Sequence, residues 1–187
     1  DINVSTYNNS DTIVGFSQYI QGILYEFRTN HCGESNGRWY AVLNNDLTKN
    51  WYIQYYNWVL SKTYSEYAYN NTDTTLLTDG TLYRGIWLEI GSTDKMILTK
   101  YSWSMNDSDA NRNIRKPFIW LVCGSNDRII WYPIHNVPND LLIPDTIPSY
   151  PPNITDIFFK NFDKPPAFKY FRWIINSLFG DTWFAVN

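Results

Sequence analysis

Two polar segments of the sequence carry the side chains with the most chemical reach. Segment 31–38 holds His31, Glu34, Asn36 and Arg38, and runs into Trp39 and Tyr40. Segment 106–115 holds Asp107, Asp109, Asn111, Arg112, Asn113 and Arg115. Arginine presents a planar fork of donors, while Asn and Asp accept from hydroxyls. With an aromatic face beside them for the C–H side of a ring, such groups suit a sugar. His31, Asn36, Arg38, Asp109, Arg112 and Asn113 are therefore the candidate ligand-binding residues. The competing reading is two solvated loops. The cluster Arg112, Arg115 and Lys116 would also make a local patch for an acidic lipid or partner.

Catalytic constellations are weak, and no catalytic residue is assigned. There is no Gly-x-Ser-x-Gly elbow, Gly-rich phosphate loop or His-Glu-x-x-His motif. Only two histidines are available, His31 and His135. His31 adjoins Cys32, and adjacent side chains point apart on an extended chain. A hydrolase is the third choice of class, behind a binding module and a structural module.

Composition narrows the class further. The chain has 187 residues and a net charge of −3, with aromatic and charged residues each at 18%. A negative net charge argues against nucleic acid as a partner, and no apolar run of about 18 residues is present to span a membrane. Alanine is scarce and Tyr, Trp, Ile and Thr are plentiful, which favours strands over helices. The chain begins at Asp1, as expected of a fragment, an excised domain or a processed product. Cys123 ends an apolar run and is expected to be a buried thiol; a disulfide to Cys32 is the alternative.

The elements that must hold these loops read as short strands. In the run 96–105, Ile97, Thr99, Tyr101, Trp103 and Met105 fall on one face and Lys100, Ser102 and Ser104 on the other, a period of two. Further strands are expected over 23–28, 39–43, 51–60, 86–90, 118–123, 129–132, 170–175 and 183–186. Polar turns between them imply an all-β fold, an antiparallel sandwich or barrel. Trp87, Tyr101, Trp103 and Trp120 are expected in or beside the core, with Trp51, Trp87 and Trp131 filling space between sheets. Asn126 and Asp127 are expected to supply the positive φ of a tight hairpin. Most of the prolines lie between Pro133 and Pro166, which bars that stretch from a central strand. The expectation is one domain over 1–187 with long insertions near 61–83 and 133–167.

Several runs, taken in order, resemble the discoidin domain, also called the coagulation factor V/VIII type C domain, of the galactose-binding-like superfamily. Gly85-Ile86-Trp87-Leu88-Glu89-Ile90 is similar to the family's Gly-Glu-Trp-Ile-Gln-Ile strand. Leu98-Thr99-Lys100-Tyr101-Ser102 looks like its Thr-Ser-Tyr-Ser strand. Arg115-Lys116-Pro117-Phe118-Ile119-Trp120, then Gly124-Ser125-Asn126-Asp127 and Trp131, follow its basic–Pro–Trp strand and turn. Tyr170-Phe171-Arg172 resembles its Tyr-Tyr-Arg strand. The similarity extends upstream to Asn44-Asn45-Asp46-Leu47-Thr48, with Asn44 where the family has Asp and Asn45 where it has Gly.

The resemblance implies a jelly-roll-like antiparallel β-sandwich. It implies non-catalytic recognition of a carbohydrate on a cell-surface glycan or glycoprotein, through loops at one end. It also implies Ca²⁺ at Asn44, Asp46 and Thr48, since calcium takes oxygen donors. The rival reading is a structural or protein–protein module among neighbouring proteins of an assembly. The Asn-, Tyr- and Ile-rich style looks like members from large DNA viruses, and an extracellular or virion-surface setting is expected.

Overall fold

The computed structural model describes residues 14–31, 51–53, 58–60, 66–69, 72–103, 117–137, 158–164, 166–179 and 184–186. These form fourteen strands and no helix. In chain order they are β1 (Val14–Ile20), β2 (Ile23–Thr29), β3 (Trp51–Ile53), β4 (Trp58–Leu60), β5 (Glu66–Tyr69), β6 (Thr74–Leu76) and β7 (Leu82–Arg84). There follow β8 (Ile86–Ile97), β9 (Lys100–Trp103), β10 (Pro117–Ser125), β11 (Tyr132–Val137), β12 (Phe158–Asn161), β13 (Ala167–Phe179) and β14 (Phe184–Val186).

The main sheet runs β1-β2-β8-β13-β10-β11, and every pairing in it is antiparallel. Beyond the start of β8, β5 pairs the last residues of β13, and β4 pairs β5. Three two-stranded ribbons, β9–β12, β3–β14 and β6–β7, complete the described strands. The β1–β2 hairpin turns through Gln21 and Gly22, with φ of 52° and 82°. Positive φ at both central residues matches the right-handed twist of the flanking strands.

Alternation gives the main sheet two apolar faces. On the inner face, Phe27, Ile86, Trp120, Val122 and Ile175 pack with Trp103 of the β9–β12 ribbon. Trp103 meets Trp120 edge-on at 5.6 Å between centroids and lies at 6.4 Å from Trp173. The Tyr101 hydroxyl accepts from Trp120 Nε1 at 2.8 Å and lies 2.6 Å from His135 Nδ1. These aromatics are the glue between ribbon and sheet, and each buried one contributes roughly 1.5–3 kcal/mol.

On the outer face, Trp87, Leu121, Cys123 and Ile174 pack with Leu77 and Trp131. The β6–β7 ribbon is tied there by backbone bonds from Trp131 to Leu76 at 3.0 Å and from Thr78 to Trp131 at 3.1 Å. Gly85 sits between β7 and β8, where a Cβ would come within 2.5 Å of the Ile175 carbonyl oxygen. Asn30 extends the β2–β8 ladder past the strand end: its Oδ1 accepts from Trp87 N at 2.8 Å and its Nδ2 donates to Gly85 O at 3.1 Å.

Several expectations change on this framework. The all-β sandwich stands, and Trp87, Trp103 and Trp120 are buried with Tyr101 beside them. Trp87 and Trp131 lie on the outer face, beside the β6–β7 ribbon and away from the β9–β12 ribbon. The run 96–105 is divided between the end of β8 and β9, with Leu98 and Thr99 between the strands. The run 129–132 is turn as far as Ile130, and β11 begins at Tyr132. The positive φ falls at Arg128, 64°, not at Asn126 or Asp127. The reason is local: Asp127 Oδ1 already accepts from Ile129 N and Ile130 N, and Ser125 Oγ accepts from Arg128 N, so the reversal is left to Arg128. Pro133 lies on β11, an edge strand, where a missing N–H is tolerated. The expected strand 39–43 lies outside the described residues.

Candidate functional site

The outer face of the main sheet carries a row of charge that its strand register dictates. Arg28 on β2 pairs across to Glu89 on β8, Glu89 to Arg172 on β13, and Arg172 to Cys123 on β10. Directly paired residues share a face, so these side chains meet. Glu89 is fully buried. Its Oε2 accepts from Arg172 Nη2 at 2.7 Å and Nε at 3.2 Å. Its Oε1 accepts from Arg128 Nε at 2.8 Å. Arg172 Nη1 donates to Thr75 Oγ1 at 2.8 Å.

Flat aromatic surfaces clamp both arginines. Arg172 Cζ lies 3.9 Å from the Trp87 ring centroid and 4.0 Å from that of Trp131. Arg128 Cζ lies 4.0 Å from the Tyr170 centroid, and its Nη2 donates to Glu26. A guanidinium stacked on an aromatic ring gains about 0.5–2 kcal/mol per contact, more when desolvated. This is the reason Trp87 and Trp131 lie on this side: they house the Arg172 plane and exclude water from it.

Burial depresses the Arg172 pKa, against the attraction of Glu89. Arg128 feels the same desolvation, but hydrogen bonds and attraction from Glu26 and Glu89 outweigh it and hold its pKa above the ordinary value. Burial pushes the Cys123 thiol up, so it is a neutral, inert group, and its Sγ donates weakly to Arg172 O at 3.7 Å. At Asp127, the N–H groups of Ile129 and Ile130 and the Ser125 hydroxyl hold the carboxyl below its usual range. The chemistry on offer is charge and hydrogen bonding, with a locked inner pair (Glu89, Arg172) and a half-exposed outer set (Glu26, Arg28, Arg128).

Of the candidates read from sequence, only His31 is described. It follows Asn30 at the end of β2, and its N–H donates to Thr29 Oγ1 at 3.2 Å. Asn36, Arg38, Asp109, Arg112 and Asn113 lie outside the described residues, as do Asn44, Asp46 and Thr48. Among the described residues no group of three or more His, Cys, Asp or Glu could hold a metal ion. The strand ends that flank the two polar segments are described. Thr29 at the end of β2 pairs with Leu88, near the start of β8. Ile86 pairs with Ile175, and Leu178 pairs with Pro117 at the start of β10. Residues 30 onward and residues up to 116 thus leave and enter at one end of the main sheet.

The Glu89–Arg172 network was missed in the sequence, although a signal was there. A lone Glu inside Ile86–Ile90 and a lone Arg inside Tyr170–Ile175 are charges in otherwise apolar runs, and buried charges are paired.

No family model and no curated protein sequence matches the chain. Solved structures do match. A family 32 carbohydrate-binding module of Clostridium perfringens NanJ, in complex with galactose, is similar at TM-score 0.52 and 7% identity, over 93% of this chain and 88% of that one. A second such module, from a family 31 glycoside hydrolase of Clostridium perfringens, matches at TM-score 0.49 and 12% identity over 86% of this chain and 89% of that one. Discoidin II of Dictyostelium discoideum matches at TM-score 0.41 and 13% identity over 78% of this chain and 54% of that one. The chain therefore has an antiparallel β-sandwich fold similar to that of the NanJ module.

Proposed function

We propose that this chain is a non-catalytic carbohydrate-binding domain. The observation that carries the reading is the similarity, over nearly the whole chain, to a module whose structure holds galactose. Supporting it, the segments 32–50 and 104–116 attach at one end of the main sheet, through Thr29 and Pro117. In this reading His31, Asn36, Arg38, Asp109, Arg112 and Asn113 contact the sugar from that end. Asn44, Asp46 and Thr48 offer a carboxylate, an amide and a hydroxyl, an all-oxygen donor set suited to Ca²⁺. The glycan belongs to a cell or virion surface. Binding is weak per site, because a shallow rim desolvates only part of a monosaccharide, and avidity from several copies supplies the rest.

The test is a glycan array followed by calorimetric titration of galactose and N-acetylgalactosamine. Retention of a galactoside that is lost in Arg112→Ala, with thermal unfolding unchanged, is the expected result. An array without hits at high loading refutes the reading. Release of product beyond stoichiometry from a glycoside or ester refutes its non-catalytic part.

A second reading, a protein–protein module of a larger assembly, is favoured by one surface. Leu76 and Leu82 pair across the β6–β7 ribbon, Ile130 precedes Trp131, which bonds Leu76, and all three side chains are exposed. Concentration-dependent self-association abolished by Leu82→Ser would support it; a monomer at every concentration would not.

A further inference from the structure

We propose that the outer sheet face over β1 and β2 is a subsite for a single acidic group on a saccharide, with Arg28 receiving the charge. The inference rests on the carbohydrate-binding reading above and deepens it, but names residues other than those of the two polar segments.

The outer-face network holds three guanidiniums, Arg28, Arg128 and Arg172, and two carboxylates, Glu26 and Glu89. One positive charge is in excess. The hydrogen bonds show which arginine carries it. Glu89 gives Oε2 to Arg172 and Oε1 to Arg128. Arg28 Nη1 is left at 3.8 Å from Oε1, beyond hydrogen-bond distance, with its side chain 31% exposed. Among the described residues the Arg28 guanidinium makes no hydrogen bond, so its donor fork is available. A carboxylate matches that fork with two parallel N–H···O bonds.

The backbone makes room for this arrangement. Gly15 on β1 faces Arg28, and a Cβ there would lie 2.5 Å from Phe27 O and 2.9 Å from Arg28 Cγ. Its absence lets the arginine stem lean across the edge strand. Gly91 does the same for the neighbouring clamp, since a Cβ would lie 2.6 Å from Tyr170 Cδ1 and 3.0 Å from Arg128 Nη2. Arg128 itself, whose φ of 64° follows from the turn bonds of Ser125 and Asp127, reaches over this face. It bonds Glu89 and Glu26, so Arg28 keeps only the ion-pair contact of 3.8 Å to Glu89 and no hydrogen bond to either carboxylate among the described residues.

The surroundings choose the ligand. Beyond Gly15, the same face of β1 offers Ser17 and then Tyr19, which is 72% exposed. Alternate residues of one strand are about 7 Å apart, so Gly15 and Tyr19 span about 14 Å. A charged sugar at Arg28 would direct its neighbouring ring toward Tyr19, whose face suits the C–H side of a pyranose. Glu26 stands on the rung between, opposite Ser17. It accepts from hydroxyls but repels a second negative charge. A single-carboxylate saccharide therefore fits, and a polyanion does not.

The experiment is calorimetric titration of the chain with a glucuronic-acid-containing disaccharide and with its carboxyl-reduced, neutral counterpart, at low and at moderate salt. The acidic form should bind about tenfold tighter than the reduced form at low salt, and the difference should shrink as salt screens the half-exposed pair. Arg28→Gln should bring the acidic form down to the reduced form while shifting the melting temperature by no more than about 4 °C. Tyr19→Ala should weaken both forms by a similar factor. Equal binding of the two forms, or a preference that survives in Arg28→Gln, overturns the inference. If galactosides bind and the acidic preference is missing, the subsite fails and the carbohydrate-binding reading stands; if neither saccharide class binds, both fail.

Discussion

Glu89→Gln isolates the energetics of the outer-face network. The substitution keeps size and shape but removes the charge that Arg172 and Arg128 both use. Glu89 is fully buried and the Arg172 side chain is 9% exposed, so Arg172 cannot recover the loss from water. Breaking a buried pair by removing one partner costs about 3–5 kcal/mol. That is a large share of a stability of roughly 5–15 kcal/mol. For a chain of this length the melting temperature should fall by about 6–20 °C. Arg172→Met should cost a similar amount, since it leaves Glu89 Oε2 buried without its donors. The double variant Glu89→Leu with Arg172→Met should lose much less than the sum, because apolar groups of similar volume replace a buried pair at little net cost. Denaturant unfolding of the parent, Glu89→Leu, Arg172→Met and the double variant in a double-mutant cycle gives the coupling directly. Additive losses, or a Glu89→Gln change below about 1 kcal/mol, would show that the pair is solvated and the argument from burial wrong.

Three more outcomes follow from the packing and the turn. Trp87→Ala should cost about 3–5 kcal/mol by denaturant unfolding, because it opens a cavity and strips one wall from Arg172; a loss in the range of surface substitutions would put the ring on the wrong side of the sheet. Cys123 should resist alkylation in the folded chain and react on unfolding, as read by peptide mass mapping, because burial keeps it a neutral thiol; ready labelling of the native protein would refute this. The Asp127 carboxyl is held below its usual range, so its contribution to the turn is present above the unfolded aspartate pKa and lost as pH falls through the folded one. The amide resonances of Ile129 and Ile130 should therefore shift together on acidification, and unmoved resonances would remove Asp127 as the turn's anchor.

Much of the scaffold was legible from residue order alone. A period of two in Tyr101 and Trp103, and apolar runs around Trp87, Trp120 and Tyr170, set strands whose burial follows from alternation, because a strand shows opposite faces to opposite sides. Local chemistry also marked the turn after Gly124, where Ser125, Asn126 and Asp127 bond the backbone. It did not mark the residue that would reverse direction, because that depended on which amides Asp127 had already claimed. Sequence likewise identified polar segments with a sugar-binding inventory, but not the surface between β1, β2 and β8.

Tertiary structure alone decided the rest. Register brings Glu89 to Arg172, 83 residues away, and the turn after β10 carries Arg128 to Glu26, 102 residues away. No local pattern encodes those meetings. It also put Trp87 and Trp131 on the outer face, where Leu77, Leu121 and Ile174 pack with them and the Arg172 plane lies against both rings. The excess charge at Arg28 has the same origin. A formal count over the whole chain is −3, yet folding gathers three guanidiniums around two carboxylates, and Glu89 has only two oxygens to share.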